Sequence, residues 1–206
     1  MKKLFATTIL SVGLMASPVL ANDENGFYIQ GFGGLNFVPK TDVEALGVDG
    51  SASLDPGAIS GIALGYELPH NFRVEGEFSY RWNEMDEFET SGVQLEADGD
   101  VQGYSFMGNV YYDFNLNSPI TPYVGLGAGY SIVDVSDLEV AGVNIEGDTD
   151  GVMSGQVMAG VNLNLTDRWS VGTGYRYLRG FEDVEISGSD FTLESHSVEV
   201  NFRYSF

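Results

Sequence analysis

The 206-residue chain carries 30 Asp+Glu against 9 Lys+Arg, a formal net charge of −21, and contains no cysteine. Such acidity excludes a nucleic-acid partner held by a basic patch, and the lack of thiols excludes disulfide staples and cysteine chemistry. A hydrophobic fraction of 43% with 13% aromatics argues against disorder and suits one domain of ordinary size.

Lys2 and Lys3 open the chain, followed by the apolar run LFATTILSVGLM and then ASPVLA, with Val19 and Ala21 at the cleavage-site positions. This reads as a secretory signal over residues 1–21, so the mature domain is expected over 22–206, starting at Asn22. Cleavage would remove two lysines and no acid, leaving seven Lys+Arg against 30 Asp+Glu, or −23. The competing reading is an uncleaved anchor, but the run falls short of the ~18 apolar residues of a spanning helix. No later stretch is long enough either.

Eight segments of alternating polarity follow. They are Phe27–Phe37, Ser60–Tyr66, Phe72–Trp82, Gln102–Phe114, Tyr123–Val133, Met153–Leu165, Arg168–Leu178 and Val198–Phe206. Period-two alternation predicts strands with two unlike faces. The connections ELPHN, NLNSPIT and TDR are tight and rich in turn residues. Four others are long: Val38–Ile59, Asn83–Val101, Asp134–Gly151 and Arg179–Ser197. Short and long connections in strict alternation around an even number of strands predict an all-β, antiparallel up-and-down transmembrane barrel. Short turns would face the periplasm and long loops the exterior.

Parity sharpens the expectation. In the third segment Phe72, Val74, Gly76, Phe78, Tyr80 and Trp82 share one face, and Arg73, Glu75, Glu77, Ser79 and Arg81 share the other. The last segment sets Val198, Val200, Phe202, Tyr204 and Phe206 against Ser197, Glu199, Asn201, Arg203 and Ser205. A charge at the midplane of a lipid-facing wall costs about 2–4 kcal/mol, which accounts for its absence from the aromatic faces. Aromatics also cluster at the segment ends, where two interfacial girdles belong: Phe27, Tyr66, Phe72, Phe114, Trp169 and Phe206 at the short turns, and Phe37, Tyr80, Trp82, Tyr104, Tyr130 and Tyr177 toward the long connections. A secreted lipocalin-like barrel shares the strand count but would turn its apolar faces inward.

The stretches GFYIQGFGGLNF, GIALGYEL, FRVEGEFSYRWNE, YVGLGAGYSIVD, GTGYRYLRG and the terminal HSVEVNFRYSF together resemble the small eight-stranded outer-membrane β-barrel family. This is the porin-family or surface-antigen type, similar to the membrane domain of outer-membrane protein A. The resemblance runs through essentially all of the mature chain. It implies location in the outer membrane of a Gram-negative cell envelope, among outer-membrane lipid and lipopolysaccharide. It also implies that Phe202, Tyr204 and Phe206 form the terminal signal read by the barrel-assembly machinery during insertion.

An eight-stranded barrel is about wide enough for its own side chains. The inward set is expected to include Tyr28, Gln30, Phe32, Arg73, Glu75, Glu77, Arg81, Met107, Asn109, Tyr111, Gln156, Met158, Arg176, Glu199, Asn201 and Arg203. Charges there must pair. Arg176 with Glu199 is one expected pair, and Arg203 reaching Glu75 or Glu77 another. Such a network would stiffen and plug the barrel. The alternative is a narrow path for ions or small solutes, since Gly61, Ala63, Gly65, Gly125, Gly127, Gly129, Gly172 and Gly174 thin one wall; room for a bulky opposite wall explains them equally.

The acids concentrate in NEMDEFETSGVQLEADGD and DVSDLEVAGVNIEGDTDG. A solvated, repulsive surface is the simplest reading; loose Ca²⁺ or Mg²⁺ binding or a host or cell-surface ligand is the sharper one. EGDTDG lacks EF-hand spacing, and no ligand set, cofactor or catalytic residue is assigned. His196 lies beside Glu194, Ser195 and Ser197, but strand alternation turns both serines away from it, so lipid A modification is the remote alternative. The expected role is structural or interactive: surface antigen, adhesion or envelope integrity.

Overall fold

The computed structural model describes residues 26–39, 41–45, 48–90, 93–135, 138–140, 143–145, 148–186 and 189–206. The expected leader, 1–21, lies outside them. Strands run in chain order as β1 (Phe27–Phe37), β2 (Thr41–Ala45), β3 (Val48–Leu54), β4 (Gly57–Leu68), β5 (Phe72–Thr90), β6 (Val93–Asp113), β7 (Ile120–Val135), β8 (Leu138–Val140), β9 (Val143–Ile145), β10 (Asp148–Asn164), β11 (Trp169–Ile186) and β12 (Ser189–Ser205).

The sheet closes on itself. Going round, the order is β5-β4-β1-β12-β11-β10-β7-β6, and β6 pairs with β5 again. Every ladder in this ring of eight is antiparallel and every neighbour is next along the barrel. The first and last strands lock the ring from Tyr28↔Ser205 to Phe37↔His196. Closure removes the unpaired edges that an open sheet would expose to lipid.

Sidedness is inverted relative to a water-soluble protein. Arg73 and Arg176 are each 1% exposed, whereas Leu126 is 65% and Phe202 60% exposed. Every buried ionic group lies inside, among polar and some apolar side chains, and the outside is covered by apolar ones, which only a hydrocarbon solvent makes favourable. The lipocalin-like alternative is thereby overturned. Aromatic rings meet at the turn end of the wall: Phe27 and Tyr66 centroids are 4.6 Å apart, and those of Trp169 and Tyr204 4.8 Å. Nearer the outer end Tyr80 faces Tyr104 at 5.2 Å.

The tight turns sit where the sequence places them. Pro69–Asn71 form one turn of 3₁₀ helix, with His70 and Asn71 at φ 66° and 67°. The outer connections differ from the long loops expected. β5 and β6 continue as a paired hairpin to Thr90↔Val93, and β11 and β12 to Ile186↔Ser189. β2 and β3 form a further hairpin that joins β5 through β3. The acids ended the visible alternation, but ladder hydrogen bonds need no apolar face once a strand has cleared the membrane.

Candidate functional site: the polar lumen

Alternation on β5 aims Arg73, Glu75, Glu77, Ser79, Arg81 and Asn83 into the lumen one above another, from the periplasmic end outward. The sixteen residues expected to point inward are all buried. They are organised in three tiers.

At the periplasmic end, Arg73 Nη1 donates to Glu75 Oε1 at 2.6 Å and Nε to Asp113 Oδ2 at 2.9 Å. Its guanidinium lies 3.9 Å above the Tyr111 ring. Tyr28 donates its hydroxyl to Glu75 Oε1 at 2.6 Å. The middle tier centres on Arg176, whose Nη1 donates to Glu77 Oε1 at 2.5 Å and to Gln156 Oε1 at 2.9 Å. Its Nε donates to Glu199 Oε2 at 3.1 Å. Asn109 donates to Glu77 Oε2 at 3.0 Å, and Gln156 to Asn109 Oδ1 at 2.7 Å. The outer tier holds Arg81 among Ser79, Ser105, Ser131 and Ser154.

Arg176 thus meets Glu199 across one ladder. Arg203 does not reach Glu75 or Glu77. Its Nε and Nη2 both donate to Gln30 Oε1, at 3.3 and 3.1 Å, and its guanidinium lies 4.4 Å from the Tyr28 ring centroid. The reason is angular. β11 is four strands from β5 in either direction and therefore faces it squarely, while β12 is three strands away. The strut to Glu77 comes from β11.

The inward glycines make room for side chains from strands one or two places round the ring rather than from the opposite wall. A Cβ on Gly127 would lie 2.0 Å from Asn109 Oδ1 and 2.9 Å from Gln156 Cγ. Without it, β6 and β10 side chains bond to each other over the backbone of β7. One on Gly65 would meet the Tyr28 ring at 2.0 Å. The thinned wall is therefore covered by its neighbours.

Asp113, Tyr28, Gln156 and the serines are network members that residue-by-residue reading left unpaired. Parity places Tyr28, Gln156 and Ser79 on the inner face; only the register reveals the partners. His196 points outward, its Nδ1 2.6 Å from the Tyr175 hydroxyl and its Nε2 3.7 Å from Glu194 Oε1. Ser195 and Ser197 are buried inside the barrel. Phe202, Tyr204 and Phe206 stand on the outer wall, where Tyr204 and Phe206 rings are 5.4 Å apart. Among the described residues no group of acids and histidines has the geometry of a metal site; most side chains of the two acid-rich stretches lie outside the description.

Comparison with known proteins agrees with this architecture. A family model, the outer membrane protein beta-barrel domain, matches residues 7–206. An uncharacterised Brucella abortus protein is 27% identical over 203 residues, covering 80% of this chain and 70% of that one. Outer membrane protein PagN of Salmonella typhimurium is 24% identical over 221 residues, covering 96% and 91%. Neisserial surface protein A superposes with a TM-score of 0.59 at 22% identity, covering 88% of this chain and 97% of that structure. With its inverted faces, closed eight-strand ring and near-complete match to the family model, the chain belongs to the outer-membrane β-barrel protein family and resides in the outer membrane.

Proposed function

We propose that this barrel is a surface-interaction protein: a rigid membrane anchor that presents acidic outer hairpins to other cells, host factors or neighbouring envelope components. The observation that carries this reading is the Glu77–Arg176–Glu199 bridge, which crosses the lumen between opposite walls and occupies the path a solute would take. A plugged interior leaves the outer surface as the working part. Antigenic exposure, adhesion and envelope integrity are the roles that fit it.

On the same reading the hairpin carboxylates recruit divalent cations loosely and bridge them to anionic lipopolysaccharide. The terminal Phe202, Tyr204 and Phe206 guide insertion by the assembly machinery, after a leader over 1–21 is removed. Removing residues 86–97 tests the assignment. Binding of cells or host factors to protein-bearing vesicles should fall while the barrel stays folded. Planar bilayers supply the opposing outcome: steady single-channel openings, enlarged by Glu77→Ala, would instead make the protein a narrow porin.

A further inference from the structure

The outer tier of the lumen contains a cation that, among the described residues, is in direct contact with no carboxylate. Arg73 and Arg176 each sit between two carboxylates, so each of those groups carries one excess negative charge. Arg81 is 5% exposed and, among the described residues, has no carboxylate within ion-pair distance. Its Nη1 donates to Ser79 Oγ at 3.2 Å and Ser105 Oγ at 3.0 Å. These bonds hold the guanidinium plane. Its Nε and Nη2 are buried and have no hydrogen-bond partner among the described residues.

Those two nitrogens are not an arbitrary pair. In a guanidinium the Nε–H and Nη2–H bonds run parallel along one edge, the fork that grips two coplanar oxygens of a carboxylate or phosphate. Arg203 presents the same edge, but Gln30 occupies it. A buried charged donor pair left unmatched is costly, so its retention points to a ligand. From Nη1, the nitrogen outside the fork, hydroxyls continue along the wall. Ser105 bonds Ser131 at 2.8 Å, and Ser131 bonds Ser154 at 2.6 Å. Ser195 Oγ, on the inner face of the outer half of β12, is likewise buried without a partner among the described residues.

We propose that the outer lumen is a blind oxyanion site in which the Nε–Nη2 edge of Arg81 binds a small carboxylate or phosphate bidentately, with serine hydroxyls lining its flank. Entry is from the outer end and requires the hydrogen bond between Asn83, which follows Arg81 on the inner face of β5, and Asn36 to part. The site ends at the middle tier. The excess negative charge of Glu77 and Glu199 repels an anion from going deeper, so the ligand is held and not conducted.

The test uses the full mature protein folded in detergent micelles, with sodium formate and sodium phosphate as probes and sodium chloride at matched ionic strength as control. Formate should raise the thermal unfolding midpoint saturably and more than chloride does. Arg81→Lys, which keeps the charge but loses the fork, should weaken the apparent affinity at least tenfold, and Arg81→Gln should abolish the response. Phosphate displacing formate in saturation-transfer NMR would identify a phosphate-type ligand; formate binding without displacement would restrict the site to carboxylates. Equal effects of formate and chloride, or an unaltered response in Arg81→Lys, would overturn the proposal. Saturation-transfer on the unaltered protein decides the matter if both variants fail to fold: no formate signal would also overturn it.

Discussion

Arg176 on β11 holds Glu77 on β5 at 2.5 Å, joining residues 99 apart in sequence and on opposite walls of the ring. The contact spans the full width of the lumen and shares its arginine with Glu199. Both carboxylates depend on one guanidinium, and none of the three groups reaches bulk water. This dependence makes the middle tier the most sensitive point in the barrel.

Arg176→Met should therefore destabilise the barrel by about 3–5 kcal/mol, because two buried carboxylates lose their counter-ion. The triple variant Arg176→Met/Glu77→Gln/Glu199→Gln should recover most of that loss, since burying the whole network also carries a desolvation cost. Urea unfolding in phospholipid vesicles measures both. A triple variant as unstable as the single one would show that packing, not charge, governs this tier.

Leu126 stands on the lipid-facing side of β7, and Leu126→Arg should cost about 2–4 kcal/mol in the same assay. The penalty should shrink for arginine placed nearer either aromatic girdle. A cost independent of position would mean that this wall does not meet hydrocarbon.

Gly125→Ala should destabilise by about 1–3 kcal/mol through overpacking, because the new Cβ would lie 2.4 Å from the Tyr111 ring. Combining it with Tyr111→Leu should cost less than the two single changes added together. Additive losses in this double-mutant cycle would place the strain elsewhere.

Deleting Phe206 should slow delivery to the outer membrane in cells more than it weakens the folded protein. Its ring lies exposed on the outer wall, and its backbone adds one hydrogen bond, from its N–H to Phe27 O at 3.1 Å. Surface immunolabelling against in vitro unfolding separates the two effects. Equal losses in both would make Phe206 a structural residue only.

Strand positions and faces were legible because a two-residue period is local, and lipid forbids charge on one side of it. The inward set followed from the same rule. Partner choice was not legible. Arg203 and Arg176 look alike in sequence, and only closure of the ring decides that β11, not β12, opposes β5. The outer hairpins look like loops in sequence because acids mask a backbone ladder that is indifferent to side-chain polarity. The fork of Arg81 was hidden for a related reason: whether an inward arginine is matched depends on what lies across several strands.

The inverted sidedness is tested most directly by spin labels. The chain has no native cysteine, so a cysteine introduced at each position from Val198 to Tyr204 in turn carries the label alone. In vesicles, labels at Val198, Val200, Phe202 and Tyr204 should be accessible to lipid-dissolved oxygen, and those at Glu199, Asn201 and Arg203 should be shielded. A reversed pattern, or none with a period of two, would contradict the account.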